Sequence, residues 1–247
     1  MRFHSCLVVC ALVLVVSATK ANASKLPPFI RLAQTWRITV NKNGQVNRME
    51  AMRNKLMDRF PQVRQKLEQA VRNWTFSPGK VNGQPVETET TLIVFADLLP
   101  GRDGGSELQI KNVYVGGGFK KRVAPRYPQS AISRLAAGEV VVKVTYGANG
   151  KVLSARQFKN GPKANHMLVV AAVEAVKRSI FRPETVGGHP LPGVALVPYC
   201  YRLHGPYGTL GKCDWKAPGE SNPLQQGEAL ALNPAAHLVT HVAGKTL

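Results

Sequence analysis

One short pattern occurs twice in this chain, and a doubled pattern restricts the fold more than any property of the whole. With Gly150 set on Gly44, Val142, Val144 and Tyr146 fall on Trp36, Ile38 and Val40, and Val152 falls on Val46. With the offset moved by one residue, Phe181, Pro183, Val186, Gly188, Pro190 and Leu191 fall on Phe76, Pro78, Val81, Gly83, Pro85 and Val86. Two small domains are therefore expected within the 247 residues, and one large enzyme fold is excluded. Each copy is short, so each core is modest.

The local periodicity repeats with the pattern. In the first copy Trp36, Ile38 and Val40 alternate with polar residues, which predicts a strand over Thr35–Val40 with one buried face. Asn41-Lys42-Asn43-Gly44 is a turn, and Gln45–Ala51 returns as a second strand. Val63, Leu67, Ala70, Val71 and Trp74 then recur at helical spacing behind Pro61, a residue tolerated in a first helical turn. Ser77-Pro78-Gly79 ends that helix, and a last strand is expected over Glu87–Ala96.

The second copy has the same order. Glu139–Tyr146 is a strand, Gly147-Ala148-Asn149-Gly150 a turn and Lys151–Phe158 the return. Leu168, Ala172, Ala175 and Val176 form the helical stripe, Pro183 breaks it, and Val194–Leu203 is the last strand. The expected class is α+β, two β-β-α-β units, each with its helix packed on a small antiparallel sheet.

The expected boundaries follow from composition. Residues 1–23 read as a cleaved export signal: Arg2 is the positive end, Cys6–Ala18 is apolar, and Ala21-Asn22-Ala23 is a small-x-small cleavage site before Ser24. The apolar run is short of the roughly 20 residues that span a bilayer. A lipidated Cys10 is disfavoured by Val9 before it. The first domain covers 24–97, a Gly- and Pro-rich linker 98–107, the second domain 108–203, and a partly disordered tail 204–247. Leu108–Val115 offers one further strand ahead of Gly116-Gly117-Gly118.

Charge and cysteine content bear on partners. The formal charge is +19, and a surface so basic attracts polyanions over a Debye length. In an exported protein those anions are lipopolysaccharide, phospholipid head groups and peptidoglycan carboxylates, with nucleic acid set aside. Only Cys200 and Cys213 remain after signal removal. An even pair in an oxidising compartment reads as a disulfide, and half of a metal site lacks partners.

Enzyme signatures are missing. There is no Gly-x-Ser-x-Gly elbow, and Gly116-Gly117-Gly118-Phe119-Lys120 lacks phosphate-loop spacing. His237 and His241 are four apart, but Leu238 stands where a metalloprotease needs Glu. No catalytic residue, metal or cofactor is expected.

Residues Pro125 to Arg202 resemble the C-terminal domain of TonB, the energy transducer of outer-membrane transport. Pro125-Arg126-Tyr127-Pro128 followed by Ala131 is similar to the family's Tyr-Pro opening. Gly138, the alternating Val140, Val142 and Val144, the Asn-Gly turn and Phe181-Arg182-Pro183 follow in the family's order. Arg72–Lys80 resembles the helix-end motif of the same family, in a degenerate copy without the Tyr-Pro opening.

The resemblance implies an exposed last strand that receives an extended peptide from an outer-membrane receptor or other envelope protein. Arg126, Tyr127, Pro128, Val197, Tyr199 and Tyr201 are the implied contact residues. Pro198 removes one amide from that strand, which suits an edge position. An exposed edge also permits a homodimer by strand sharing. The Pro-rich arm and the anchor motif of a full transducer are absent from this sequence. A periplasmic binding module is therefore expected ahead of an inner-membrane-anchored transducer or a basic cell-envelope structural protein.

Overall fold

The computed structural model describes residues 29–101, 105–206, 208–220 and 222–247. The expected export signal, its cleavage point and Cys10 lie outside the described residues.

The chain begins with β1 (Ile30–Val40) and β2 (Val46–Ala51), a short 3-10 turn at Met57–Arg59, and α1 (Pro61–Arg72). Then come β3 (Phe76–Ser77), β4 (Lys80–Val81), β5 (Gln84–Pro85) and the long β6 (Thr88–Pro100). A second long strand, β7 (Ser106–Gly116), precedes β8 (Gly118–Lys121) and the short α2 (Gln129–Ser133). The pattern resumes with β9 (Gly138–Tyr146), β10 (Val152–Gln157) and α3 (His166–Lys177). It continues through β11 (Ile180–Arg182), β12 (Thr185–Val186), β13 (His189–Pro190) and β14 (Gly193–Tyr201). The remaining chain carries β15 (Leu203–Gly205), β16 (Gly208–Leu210), β17 (Leu230–Ala231) and β18 (His237–Leu238).

The two hairpin turns take the same hydrogen bonds. Gly44 and Gly150 have φ of 82° and 77°, the left-handed region where glycine carries no steric cost. The Gly44 carbonyl accepts from the Phe76 amide, and the Gly150 carbonyl accepts from the Phe181 amide, both at 2.8 Å. An added Cβ would lie 2.1 Å from the Phe76 oxygen in one turn and 2.2 Å from the Phe181 oxygen in the other. The residues that matched in sequence thus fix the hairpin to the strand after the helix in both segments.

Helix starts differ in chemistry but agree in place. Pro61 opens α1 with no side-chain cap, whereas Asn165 caps α3 by accepting from the Met167 amide at 2.9 Å. Leu67 and Val71 on α1 bury against Trp36, Ile38, Leu92 and Val94 in a first core. Leu168, Ala172 and Val176 on α3 bury against Val140, Val142, Val144 and Val197 in a second.

The sheets meet through their other faces. Ile93 and Phe95 of β6 and Tyr114 of β7 share a third core with Val141 of β9 and Leu196 of β14. The layers therefore run helix, sheet, sheet, helix. This explains the unbroken burial of Thr90–Asp97 in β6 and of Glu139–Val142 in β9, since a strand covered on both faces need not alternate.

Strand pairing joins the two halves more closely than the sequence suggests. The first sheet runs β2-β1-β6, and β7 lies on the far side of β6 from Thr91–Gly116 to Pro100–Ser106. The Gly- and Pro-rich stretch expected as a linker is thus the tip of a long hairpin. The strand expected to open the second domain completes the first sheet. From the second segment, β12 also pairs with the start of β6. The second sheet runs β10-β9-β14-β17, so its last strand comes from the segment expected as a tail.

That segment has defined partners instead of hanging free. β17 pairs with β14, β18 pairs with β3, and the Gly244 and Leu247 amides donate to Ile110 and Leu108 of β7 at 2.8 Å. Its glycines and prolines mark bends between edges it visits. Among the described residues no helix is long and apolar enough to cross a membrane.

Candidate interaction edge

Two faces and one edge decide what β14 can offer a partner. Val197, Tyr199 and Tyr201 point into the second core, under the α3 layer, and each is 5% exposed or less. Leu196, on the other face, lies in the third core. With Leu196 and Val197 covered on opposite faces, this part of β14 offers a partner its outer-edge backbone.

The register identifies that backbone. The Val141 carbonyl accepts from Phe158 on the β10 side, so Pro198, opposite Val141, directs its own carbonyl away from β9. There the missing proline amide breaks no β9–β14 bond. Proline is tolerated at this kind of edge position.

The chain's own tail occupies the edge. The Leu232 amide donates to the Val194 carbonyl at 2.9 Å, Leu230 and Ala231 pair with Leu196 and Ala195, and the Gly227 amide donates to the Pro198 carbonyl at 2.9 Å. Beyond Pro198, Cys200 is joined to Cys213 by a disulfide, with Cα atoms 5.7 Å apart. The covalent link ties the start of the tail to the end of the strand.

The residues singled out in sequence divide into three groups. Tyr127 packs edge-on against Tyr201 with ring centres 5.2 Å apart, and its hydroxyl donates to the Ala136 carbonyl at 2.6 Å. Tyr127, Tyr199 and Tyr201 line one cleft of about 320 Å³ with Arg122, Pro125 and Gln226. Arg126 is exposed and Pro128 half-buried outside it, and Val197 is wholly buried. Burial pushes the Tyr199 hydroxyl up to about 12 and that of Tyr201 higher still. Both stay protonated at neutral pH.

Two buried carboxylates escaped sequence reading. Glu139 of β9 accepts from the Trp215 amide at 3.0 Å and from Gln226 Nε2 at 2.8 Å. Glu184 accepts from the Thr90 hydroxyl and the Ala235 amide, both at 2.7 Å, and from the Ala236 amide at 3.3 Å. Each holds a different stretch of the tail. The one signal in the sequence was their rarity, since only 14 residues of this basic chain are acidic. Burial raises the Glu139 carboxyl above the ordinary carboxylate range against the pull of its two donors. His237 lies in β18, not on a helix, and no metal-binding cluster forms among the described residues.

Residues 123–203, the stretch containing this edge, match the family model of the Gram-negative bacterial TonB protein C-terminal. This stretch is a TonB C-terminal domain. The match begins just after β8 and ends on β15, leaving β1 to β8 and residues 204–247 outside it. No curated protein and no solved structure matches the chain. TonB C-terminal domains are protein-interaction and energy-transducing domains of the Gram-negative envelope, and their partners include outer-membrane receptors. An envelope interaction role follows for the domain in this chain.

Proposed function

We propose that the chain is a periplasmic interaction protein that captures an extended segment of an envelope or outer-membrane partner by adding it to the outer edge of β14. In this reading the first segment is a degenerate second copy of the TonB C-terminal unit. The observation that carries the proposal is the occupancy of the edge. A short antiparallel stretch, Gly227–Leu232, already pairs with Leu196 and donates to the Val194 and Pro198 carbonyls. An incoming strand of similar length would make the same bonds, so capture becomes an exchange of one strand for another. A fully paired long strand would not yield in this way.

Arg202, the residue after β14, is exposed and is the place to test this. A photo-crosslinking residue there, in the exported full-length protein, is expected to form an adduct with an envelope protein. Leu230→Pro, which breaks the pairing with Leu196, should raise the adduct yield severalfold. Equal yields with and without that substitution would count against strand exchange.

A further inference from the structure

The second sheet has an end, where β9 begins and β14 finishes, that strand capture does not use. Tyr201 pairs with Gly138 there. Tyr127 reaches the same end through its contacts with the Tyr201 ring and the Ala136 carbonyl. An added Cβ at Gly211 would lie 3.2 Å from that of Ala137. Two stretches, 120–138 and 201–213, therefore meet at this end. The first holds five lysines and arginines, the second two, and neither holds an acidic residue. Of the carboxylates that follow them, Glu139 is buried against Trp215 and Gln226, and Asp214 is exposed. Arg126, Arg134, Arg202 and Lys212 are all exposed, and among the described residues none of the four forms an ion pair.

Two leucines stand clear of the protein among these cations: Leu135 is 66% exposed and Leu210 48%. Leu135 follows α2 in a Schellman turn. Its amide donates to the Ile132 carbonyl and the Ala136 amide to the Ala131 carbonyl, both at 2.9 Å. The turn holds Leu135 at φ of 51°, a left-handed conformation that suits glycine or asparagine and that leucine adopts at a cost. Packing within the chain does not offset that cost, since most of the side chain lies outside it. Leu210 ends β16, which among the described residues pairs only with β15. The glycine after it rests on Ala137 and Gly138.

From this juxtaposition we infer that the β9–β14 end is a docking surface for an anionic phospholipid bilayer. Leu135 and Leu210 enter the boundary between head groups and acyl chains, and the four cations meet the phosphates. A bilayer suits this surface better than an acidic protein. Single projecting leucines are covered by a fluid apolar phase that closes round each one, whereas a folded partner needs a socket for each. A cation held near a negatively charged bilayer adds about fivefold in affinity, and apolar insertion adds to that. Docking at this end leaves the outer side of β14 clear, so the inference stands apart from strand capture.

The test uses the exported chain with vesicles of phosphatidylglycerol and phosphatidylethanolamine, against vesicles of phosphatidylcholine. The chain should bind the anionic vesicles at least tenfold more tightly, and added salt should weaken that binding. Leu135→Asn with Leu210→Asn should lower affinity for the anionic vesicles about tenfold. The same variant should unfold at a similar urea concentration, because asparagine accepts the left-handed turn more readily than leucine. Its weaker binding is then not a loss of fold. Arg134→Gln with Lys212→Gln should lower affinity about twentyfold and lessen the salt dependence. Equal affinity of the leucine variant and the unaltered chain would overturn the inference, reducing the contact to surface charge. Equal affinity for the two kinds of vesicle would overturn it as well. Binding to neither would do the same and leave the surface to an acidic protein.

Discussion

β6 and β14 hold corresponding positions in the two segments, each the last strand of its unit, and each has β1 or β9 along one side. Their other sides differ. β6 is closed by β7 in a ladder running from Thr91 to Pro100, made by the next strand in sequence. β14 is closed by a few bonds from a stretch some thirty residues downstream. A long local hairpin is costly to open, because every pair must be lost together. A short, distant strand exchanges more readily. Under the proposed capture, the second edge is the one an incoming strand could open, and the first is closed.

The helix-end strands differ in a complementary way. In the second segment β11 pairs with β8, which precedes the Tyr-Pro opening, while in the first β3 pairs with β18 of the tail. The Thr75 carbonyl accepts from the Val239 and Thr240 amides, and the Thr75 amide donates to the Thr240 hydroxyl at 2.7 Å. Among the described residues no strand precedes β1 in the first segment, and β18 of the tail pairs with β3 there. One tail thus pairs with the first segment while covering the β14 edge of the second.

The largest effect should come from the feature the segments share. Gly44→Val and Gly150→Val each force a branched side chain into a left-handed turn and onto a backbone oxygen. Each should cost about 3 kcal/mol or more in urea unfolding. If only one is costly, the equivalence of the two turns is broken.

Next in size is the covalent tie. Cys200→Ser with Cys213→Ser opens a loop of sequence separation 13, for which chain entropy gives about 3 kcal/mol at most. Amide exchange should accelerate at Gly227 and Leu232 and stay unchanged at Val113 in β7. Uniform acceleration would mean that the tail and the first sheet open as one unit.

The unaltered protein sharpens the same contrast. The Gly227 and Leu232 amides should exchange about a hundredfold faster than ladder amides of β6 and β7, because short edge strands open sub-globally. Comparable protection at both places would make the β14 edge as closed as that of β6.

Much of this was legible in the sequence because it is local. Alternation gave β1 and β9, the Asn-Gly turns gave the hairpins, and helical spacing gave α1 and α3 with the faces they bury. Pairing between distant segments left no such trace. Leu98–Glu107 has the composition of a linker, and a hairpin tip needs the same glycines and prolines. The alternation of Val197, Tyr199 and Tyr201 marked one face of β14 correctly but could not say that α3 and the second core lie over it. The tail was unreadable for a related reason: its anchors are backbone amides and two buried glutamates, and neither produces a period.

Acidity should give the smallest effect, confined to the second edge. Burial holds the Glu139 and Glu228 carboxyls above the ordinary carboxylate range. Glu139 faces the Trp215 amide, Gln226, Asp214 and Arg202, and Glu228 faces Arg122. A docked tail therefore binds protons more readily than a released one. The associated stability is fully present below the ordinary carboxylate pKa and is lost as pH rises through the raised values. After correction for intrinsic rates, exchange at Gly227 and Leu232 should be slower near pH 5 than near pH 7.5, and the β6–β7 ladder should show no such trend. Glu139→Gln with Glu228→Gln should flatten the tail's dependence, since neither side chain then titrates. A tail that loosens on acidification would reverse the sign and assign control to other groups. A trend shared equally by β7 would remove the distinction between the two edges.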